Sequence, residues 1–302
     1  MEVPDVVPVA PAKRGRGRPR KTVVIDLDPP DVVAVPKRPP GRPRKKKPPA
    51  SPIEAYPSSY GDECNIVVPP PPKIEVYGKN GRIIDITHEM RSDLPIFGSP
   101  EGVGQLLRLS VSMKNGSLYN ISELKLITHT GTHVDAPGHF YDHCFDAGFD
   151  VNSLDLDLLN GPVLLVDVPR NMNITAEAME SLNIPRGVRR VIFRTLNTDR
   201  LLMYKNQFDT SFVGFTQDGA QWLKDHTDIK MVGIDYLSVA SWDDNVSAHL
   251  VFLEGRDIII VEGLKLDDID AGSYSSVHCL PLRLVGAEGS SHKYYSMTMK
   301  HA

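Results

Sequence analysis

The chain has 302 residues and a formal net charge of −4, yet residues 1–50 carry +8 and the remainder −12, and 18 of the 25 prolines lie at or before Pro72. The first part is too polar, charged and proline-rich to bury a core, which leaves about 230 residues for one globular fold. Cys64, Cys144 and Cys279, odd in number and without a CxxC pair, exclude a disulfide scaffold or zinc ribbon and fit a reducing compartment, and no apolar run reaches the roughly 18 residues of a transmembrane helix.

The opening stretch MEVPDVVPVAPAKRGRGRPRK lacks the continuous apolar segment of a signal peptide, so no leader is expected. Residues 1–73 are expected to form a disordered basic arm with a degenerate repeat. DVVPVAPAKRGRGRPRK from Asp5 is echoed by DVVAVPKRPPGRPRKKK from Asp31, each with a GRPRK core. The segments 13–21 and 37–47 resemble AT-hooks, short DNA-binding motifs centred on Arg-Gly-Arg-Pro. The first supplies Arg16, Gly17, Arg18 and Pro19, followed by Arg20; the second supplies Gly41, Arg42, Pro43 and Arg44, with Pro40 where the first arginine would stand. The narrow minor groove of A·T tracts attracts arginine. Glycine lets the backbone sit deep, and proline holds it extended. Flanking lysines suit phosphate. The bland alternative is a solvated tail or an import signal. DNA binding and import both place the chain in the nucleus.

The second part, residues 74–302, opens with RIIDIT (82–87), which reads as a strand. HTGTHVDAPGH (129–139) follows, with three histidines and an aspartate in eleven residues. Imidazole and carboxylate are ligands that zinc or manganese prefers, although a shared polar loop would use the same residues. Gly131, Thr132, Val134 and Pro137 oppose a helix. An extended strand puts His129, His133, Asp135 and His139 on one face. It would also hold the Cα atoms of His129 and His133 roughly 13 Å apart, at about 3.3 Å per residue. One ion could not span that gap, so the chain must bend, and Gly131 permits it.

Further strands are expected at PVLLVDV (162–168), RRVIFRT (189–195), KMVGID (230–235) and DIIIVE (257–262). Between them lie helices. Thr175 can cap TAEAMESL, and Thr216 can cap TQDGAQWLKD, whose apolar face carries Ala220, Trp222 and Leu223. A short SAHLVFLEG helix is expected to end at Gly255. Strands alternating with helices argue for an α/β domain with ligand groups at strand ends.

With these elements in place, HTGTHVDAPGHF resembles the HxGTHxDxPxH signature of the cyclase-like metal-dependent hydrolases, a family that includes bacterial kynurenine formamidases and isatin hydrolases. IIDITHEM, GIDYLSV, AHLVFL and IIIVEGL fall in the family's order, so the resemblance covers about residues 80–290 and looks closest to the plant branch. It implies a swivelling β/β/α fold. It also implies His129, His133 and Asp135 as metal ligands, His139 as the catalytic histidine, and His249 and Glu262 as completing a second metal site. One or two divalent ions, Zn²⁺ or Mn²⁺, would lower the pKa of bound water and polarise a scissile carbonyl. The implied activity is amide hydrolysis of a small aryl formamide or cyclic amide, for which N-formylkynurenine going to kynurenine and formate is the example.

His226, His292 and His301 read as structural residues, while His88, His143 and His278 remain ambiguous. Asp142 and Asp146 read as loop carboxylates, and Phe97 and Tyr141 fit either a pocket wall or the core. Two features depart from the family. Plant relatives commonly open with a secretory signal, so a secreted or endoplasmic-reticulum location is the alternative expectation to the nucleus, and this chain opens with the basic arm instead. The tail SSHKYYSMTMKHA lacks the family's Pro-containing basic ending, which bears on a homo-oligomer interface or on specificity. The rival reading is a non-catalytic nuclear protein that keeps the fold and binds DNA through its arm.

Overall fold

The computed structural model describes residues 83–291 and the backbone of Tyr294 and Tyr295. Both AT-hook-like segments, with Arg16, Gly17, Arg18, Pro19, Arg20, Gly41, Arg42, Pro43 and Arg44, lie outside the described residues, as do Cys64, His292 and His301. In chain order the elements begin with β1 (Leu107–Val111), β2 (Ile121–Leu124) and β3 (His133–Asp135). Next come α1 (Asp142–Asp146), α2 (Leu156–Leu159), β4 (Asn160–Asp167), α3 (Ala176–Ser181), β5 (Arg190–Arg194) and α4 (Leu196–Asp199). The chain continues through α5 (Gln217–His226), β6 (Met231–Ile234), α6 (Asn245–Leu253), β7 (Ile259–Glu262), β8 (Gly272–Cys279), β9 (Gly289–Ser291) and β10 (Tyr294–Tyr295).

One eight-stranded sheet runs in the order β10-β8-β4-β5-β6-β7-β3-β9. Its centre, β4-β5-β6-β7, is parallel, and the remaining pairs are antiparallel. β9 stands at one edge of the sheet, paired with β3, and β10 at the other, paired with β8. The central strands read as continuous apolar runs because both faces are covered. Ile192, Met231, Ile259 and Val261 face one core with Val134 and Leu165, while Val191, Phe193, Val232, Ile234 and Ile260 face another beneath α3, α5 and α6.

The expected helices form where their caps stand. Thr175 Oγ1 accepts from Ala178 N at 3.2 Å, and Thr216 Oγ1 accepts from Gly219 N at 3.4 Å. On α5, Ala220 and Leu223 are buried and Trp222 is half-buried. Two expectations need correction. Of the strand expected at 82–87, the described residues 83–87 do not make a regular strand: Thr87 forms an isolated antiparallel bridge with Leu264, although Ile84 and Ile86 pack into the first core. Their apolar alternation fixes which side chains are buried without recruiting a continuous ladder. The helix expected to end at Gly255 stops at Leu253, and the left-handed residue after it is Arg256, with φ +58°. Arg256 gains from that turn a place over the Phe149 ring, 4.5 Å from its centroid.

At the carboxyl end of β6, Asp235 ties the strand to the segment after β5. Its carboxylate accepts from Thr195 N and Oγ1, both at 2.8 Å, and from Thr198 Oγ1 at 2.6 Å. This network fixes the loops at the carboxyl ends of the parallel strands, where ligands of open α/β sheets gather.

Candidate metal centre

β3 projects His133 and Asp135 to the same side, because two residues is one pleat repeat. Gly131 supplies the bend that the spacing argument required, with φ +66°, and it folds His129 back until its ring centroid lies 5.0 Å from that of His133. Across the antiparallel register, His133 stands opposite Glu262 at the end of β7. Gly263, with φ +65°, lets the chain leave β7 against the Gly131 carbonyl, where any Cβ would collide. The turn Pro137–His139 returns His139, whose ring stacks on His129 at 4.0 Å. α6 brings His249 from the far side, with Nε2 3.4 Å from Glu262 Oε1 and 3.8 Å from Asp135 Oδ2.

All six residues implied by the motifs therefore meet around one centre. His129 Nδ1 lies 2.9 Å from Asp135 Oδ1, and His133 Nε2 lies 3.6 Å from the same oxygen and 3.1 Å from Glu262 Oε2. Yet His133 Nε2 and both Asp135 oxygens are buried without a hydrogen-bond partner. Such groups are costly to bury unless something satisfies them. Donor atoms about 2 Å from a shared cation would lie at separations of this kind. The residues fit a divalent ion. Potential ligand atoms fall into two trios that share Asp135: His129 with Asp135 and His139, and His133 with Asp135 and Glu262. Asp135 is thus placed between two positions, and His139 stands close enough to act as a ligand as well as a base.

Outer partners orient these rings. His133 Nδ1 lies 2.9 Å from the Gly131 carbonyl and His249 Nδ1 lies 2.5 Å from the Asn245 carbonyl. In each case a donated Nδ1–H leaves the Nε2 lone pair facing the centre. Val239 N donates to Glu262 Oε1 at 2.6 Å and fixes that carboxylate.

The electrostatics are those of a cation trap. Burial would lower the His129 imidazole, but Asp135, with help from Glu262 and Glu288, pushes it up to about 9. Burial likewise opposes charge on His249, and Glu262 and Asp135 raise it nonetheless. Burial disfavours the Asp135 and Glu262 carboxylates, while the imidazoles around them hold both below the usual range. A metal would displace protons that these anions now attract. His139 goes the other way. Burial lowers it, Asp135 only partly opposing, which favours the neutral ring, the form able to accept a proton.

A cavity of about 230 Å³ opens onto the cluster, walled by Phe97, Phe140 and Leu237. A larger cavity, about 530 Å³, lies beside Leu124, Leu280, Leu282 and Leu284 but lacks the convergence of metal-ligating groups. The chemistry selects the smaller one. Phe97 therefore lines the pocket, while Tyr141 donates its hydroxyl to the Leu250 carbonyl at 2.9 Å. His226 stacks on Trp222, His88 packs edge-on to Tyr204, and neither joins the cluster. Asp142, His143 and Asp146 lie in α1, and His278 in β8, also apart from it. Sequence reasoning missed Phe140, Asn245 and Glu288. Asn245 begins α6 one turn before His249, a spacing that could have shown it.

Comparison with known proteins places the chain in a family. Residues 84–241 match the cyclase family, described as "Putative cyclase". Cyclase-like protein 3 of Oryza sativa subsp. japonica is 64% identical over 236 residues, covering 78% of this chain and 86% of that protein. Kynurenine formamidase of Bacillus mycoides is 31% identical over 214 residues, 70% of this chain and 95% of the enzyme. The solved structure described as "predicted metal-dependent hydrolase from Bacillus stearothermophilus" superposes with a TM-score of 0.59 at 27% identity, covering 72% of this chain and 98% of that one.

Proposed function

The chain belongs to the cyclase family of metal-dependent hydrolases, and on that premise we propose that it hydrolyses the C–N bond of a small aryl formamide or cyclic aryl amide. The observation that carries the reading is the set of buried ligand atoms on His133 and Asp135, left without hydrogen bonds and crowded together, beside a cavity with aromatic walls. N-formylkynurenine, cleaved to kynurenine and formate, is the example we favour, because a kynurenine formamidase is 31% identical across most of its length.

His129, His133, Asp135, His249 and Glu262 would hold Zn²⁺ or Mn²⁺. A bound divalent ion supplies Lewis-acid polarisation and eases deprotonation of water. His139, neutral in its buried position, takes a proton from the attacking water and returns it to the departing nitrogen. The oxygen of water is added to the carbonyl carbon and the C–N bond breaks, so an aryl formamide leaves as formate and an arylamine, and a cyclic aryl amide opens to a single aminocarboxylate. Phe97 and Phe140 flank the cavity and suit a flat ring. A cavity of about 230 Å³ admits a compact substrate better than an extended one.

The test is a substrate panel on the full chain loaded with Zn²⁺ or Mn²⁺: N-formyl arylamines, cyclic aryl amides and matched aliphatic formamides. Metal-dependent turnover of the aryl members is expected. Inertness toward the whole panel would reject the activity and favour the non-catalytic alternative.

A second reading concerns the arm. Arg16-Gly17-Arg18-Pro19 and its degenerate copy support binding to A·T-rich DNA and a nuclear location. Both functions can reside in one chain.

A further inference from the structure

We infer that Glu288 is a positioning residue for the metal centre, holding His129 from behind in the manner of a carboxylate–histidine–metal relay. The inference rests on the metal-centre reading above and adds a residue from outside its motifs. Glu288 immediately precedes β9, the strand paired with β3. Its carbonyl accepts from Ala136 N at 2.8 Å, which locks it beside the HVD segment. Its side chain then reaches the far side of His129.

Four observations converge there. Glu288 Oε1 lies 3.3 Å from His129 Nε2, the ring nitrogen shut away from solvent without a hydrogen bond. The other nitrogen, Nδ1, is the one beside the Asp135 ligand oxygen, at 2.9 Å. Thr128 Oγ1 donates to the same Glu288 oxygen at 3.0 Å and so fixes the carboxylate. Gly289, next in sequence, supplies the space. A Cβ there would stand 2.5 Å from His129 Cε1 and 2.6 Å from Nε2, closer than real side chains allow. Gly289 therefore seats the ring and Glu288 caps it.

The physical consequence concerns the tautomer. A metal-bound histidine presents one nitrogen to the ion, and its other N–H needs an acceptor that fixes the ring and raises its basicity. With Glu288 Oε1 drawn in from 3.3 Å to accept at Nε2, His129 would offer Nδ1 to the centre. Without it, Nε2–H is left buried and unpaired, and the neutral ring gains nothing from the tautomer the site requires. His133 and His249 use backbone carbonyls for this purpose, so His129 differs in having an ionisable side chain behind it.

The test uses the full chain stripped of metal and titrated with Co²⁺ and Zn²⁺ against a chromophoric chelator. Glu288→Ala should weaken metal affinity roughly 10- to 100-fold, the range for loss of an outer-shell carboxylate. Glu288→Gln, whose carbonyl oxygen still accepts from Nε2–H, should recover most of the loss. The Co²⁺ absorption spectrum should shift in Glu288→Ala and return in Glu288→Gln. Thr128→Val, which frees the carboxylate without removing it, should weaken binding in the same direction and serves as the test should Glu288→Ala fail to fold. Wild-type affinity and spectrum in a folded Glu288→Ala would overturn the inference alone. Absence of metal uptake by the wild-type chain would overturn the metal-centre reading with it.

Discussion

His133 and Glu262 face each other directly across the β3–β7 pair, with His133 Nε2 3.1 Å from Glu262 Oε2. Both side chains are almost wholly buried. An imidazole nitrogen and a carboxylate buried this deep are costly unless their lone pairs are satisfied. A shared cation would satisfy them. Replacing His133 with alanine should therefore abolish stoichiometric binding of zinc or manganese, measured by elemental analysis after exhaustive dialysis. Retention of a full equivalent would remove His133 from the ligand set.

Loss of His139 should separate binding from chemistry. As a proton carrier, it should cost about 10²–10⁴-fold in kcat when changed to alanine, while metal content stays near that of the wild type. The trio it forms with His129 and Asp135 gives the contrary outcome a definite meaning. Metal and activity lost in parallel would make His139 a ligand.

Gly131 carries the bend that turns a polar strand into a site. At φ +66° an L-residue pays roughly 1–2 kcal/mol, and a Cβ there would press on Met90 at 3.3 Å. Gly131→Ala should lower the thermal midpoint by several degrees and weaken metal uptake as well. An unchanged midpoint would show that the turn relaxes without the left-handed conformation.

His88 gives stability a pH dependence whose sign follows from burial. Burial lowers its pKa from 6.5 to about 4, Asp267 opposing, and Lys265 and Arg91 adding to the fall. The unfolded chain thus binds this proton at higher pH than the folded one. The stability is fully present above about pH 6.5 and declines as pH falls toward 4. The full difference corresponds to about 3 kcal/mol. Urea melts at pH 7.5, 6 and 5 should show this decline, and His88→Gln should flatten it. Parallel slopes in the two proteins would assign the decline to other groups.

The legibility of the site followed the range of its interactions. His129, His133, Asp135 and His139 lie within eleven residues, so pleat geometry and one glycine sufficed to bring them together. His249 and Glu262 required the family's pattern, since only the β3–β7 register places Glu262 opposite His133. Glu288 stayed hidden. Its partner Thr128 is 160 positions away, and the β3–β9 pairing joining them leaves no local periodicity. Within the fold, the continuous apolar runs of β5, β6 and β7 were plain, because both faces are buried. β8 was missed: GSYSSVHC is small and polar, and its place is set by pairing with β4.

The arm yields a prediction that needs no substrate. The full chain should bind A·T-rich duplex more tightly than G·C-rich duplex at physiological salt. Arg16 and Arg18 flank Gly17 in the one intact Arg-Gly-Arg-Pro core, a thin extended segment suited to a narrow, strongly negative groove. Replacing both arginines should erase the A·T preference. Replacing Lys45, Lys46 and Lys47 should weaken both duplexes alike and flatten the salt dependence, because their contacts would be with phosphate. Pro40 denies the second copy a groove-reading arginine, so Arg42→Ala should cost less than Arg18→Ala. Equal affinity for the two duplexes in a fluorescence-anisotropy titration would reduce the arm to a non-specific basic tail. Its remaining claim on the nucleus would then be import, read by the cellular location of a chain whose lysines and arginines at 13–21 and 37–47 are neutralised.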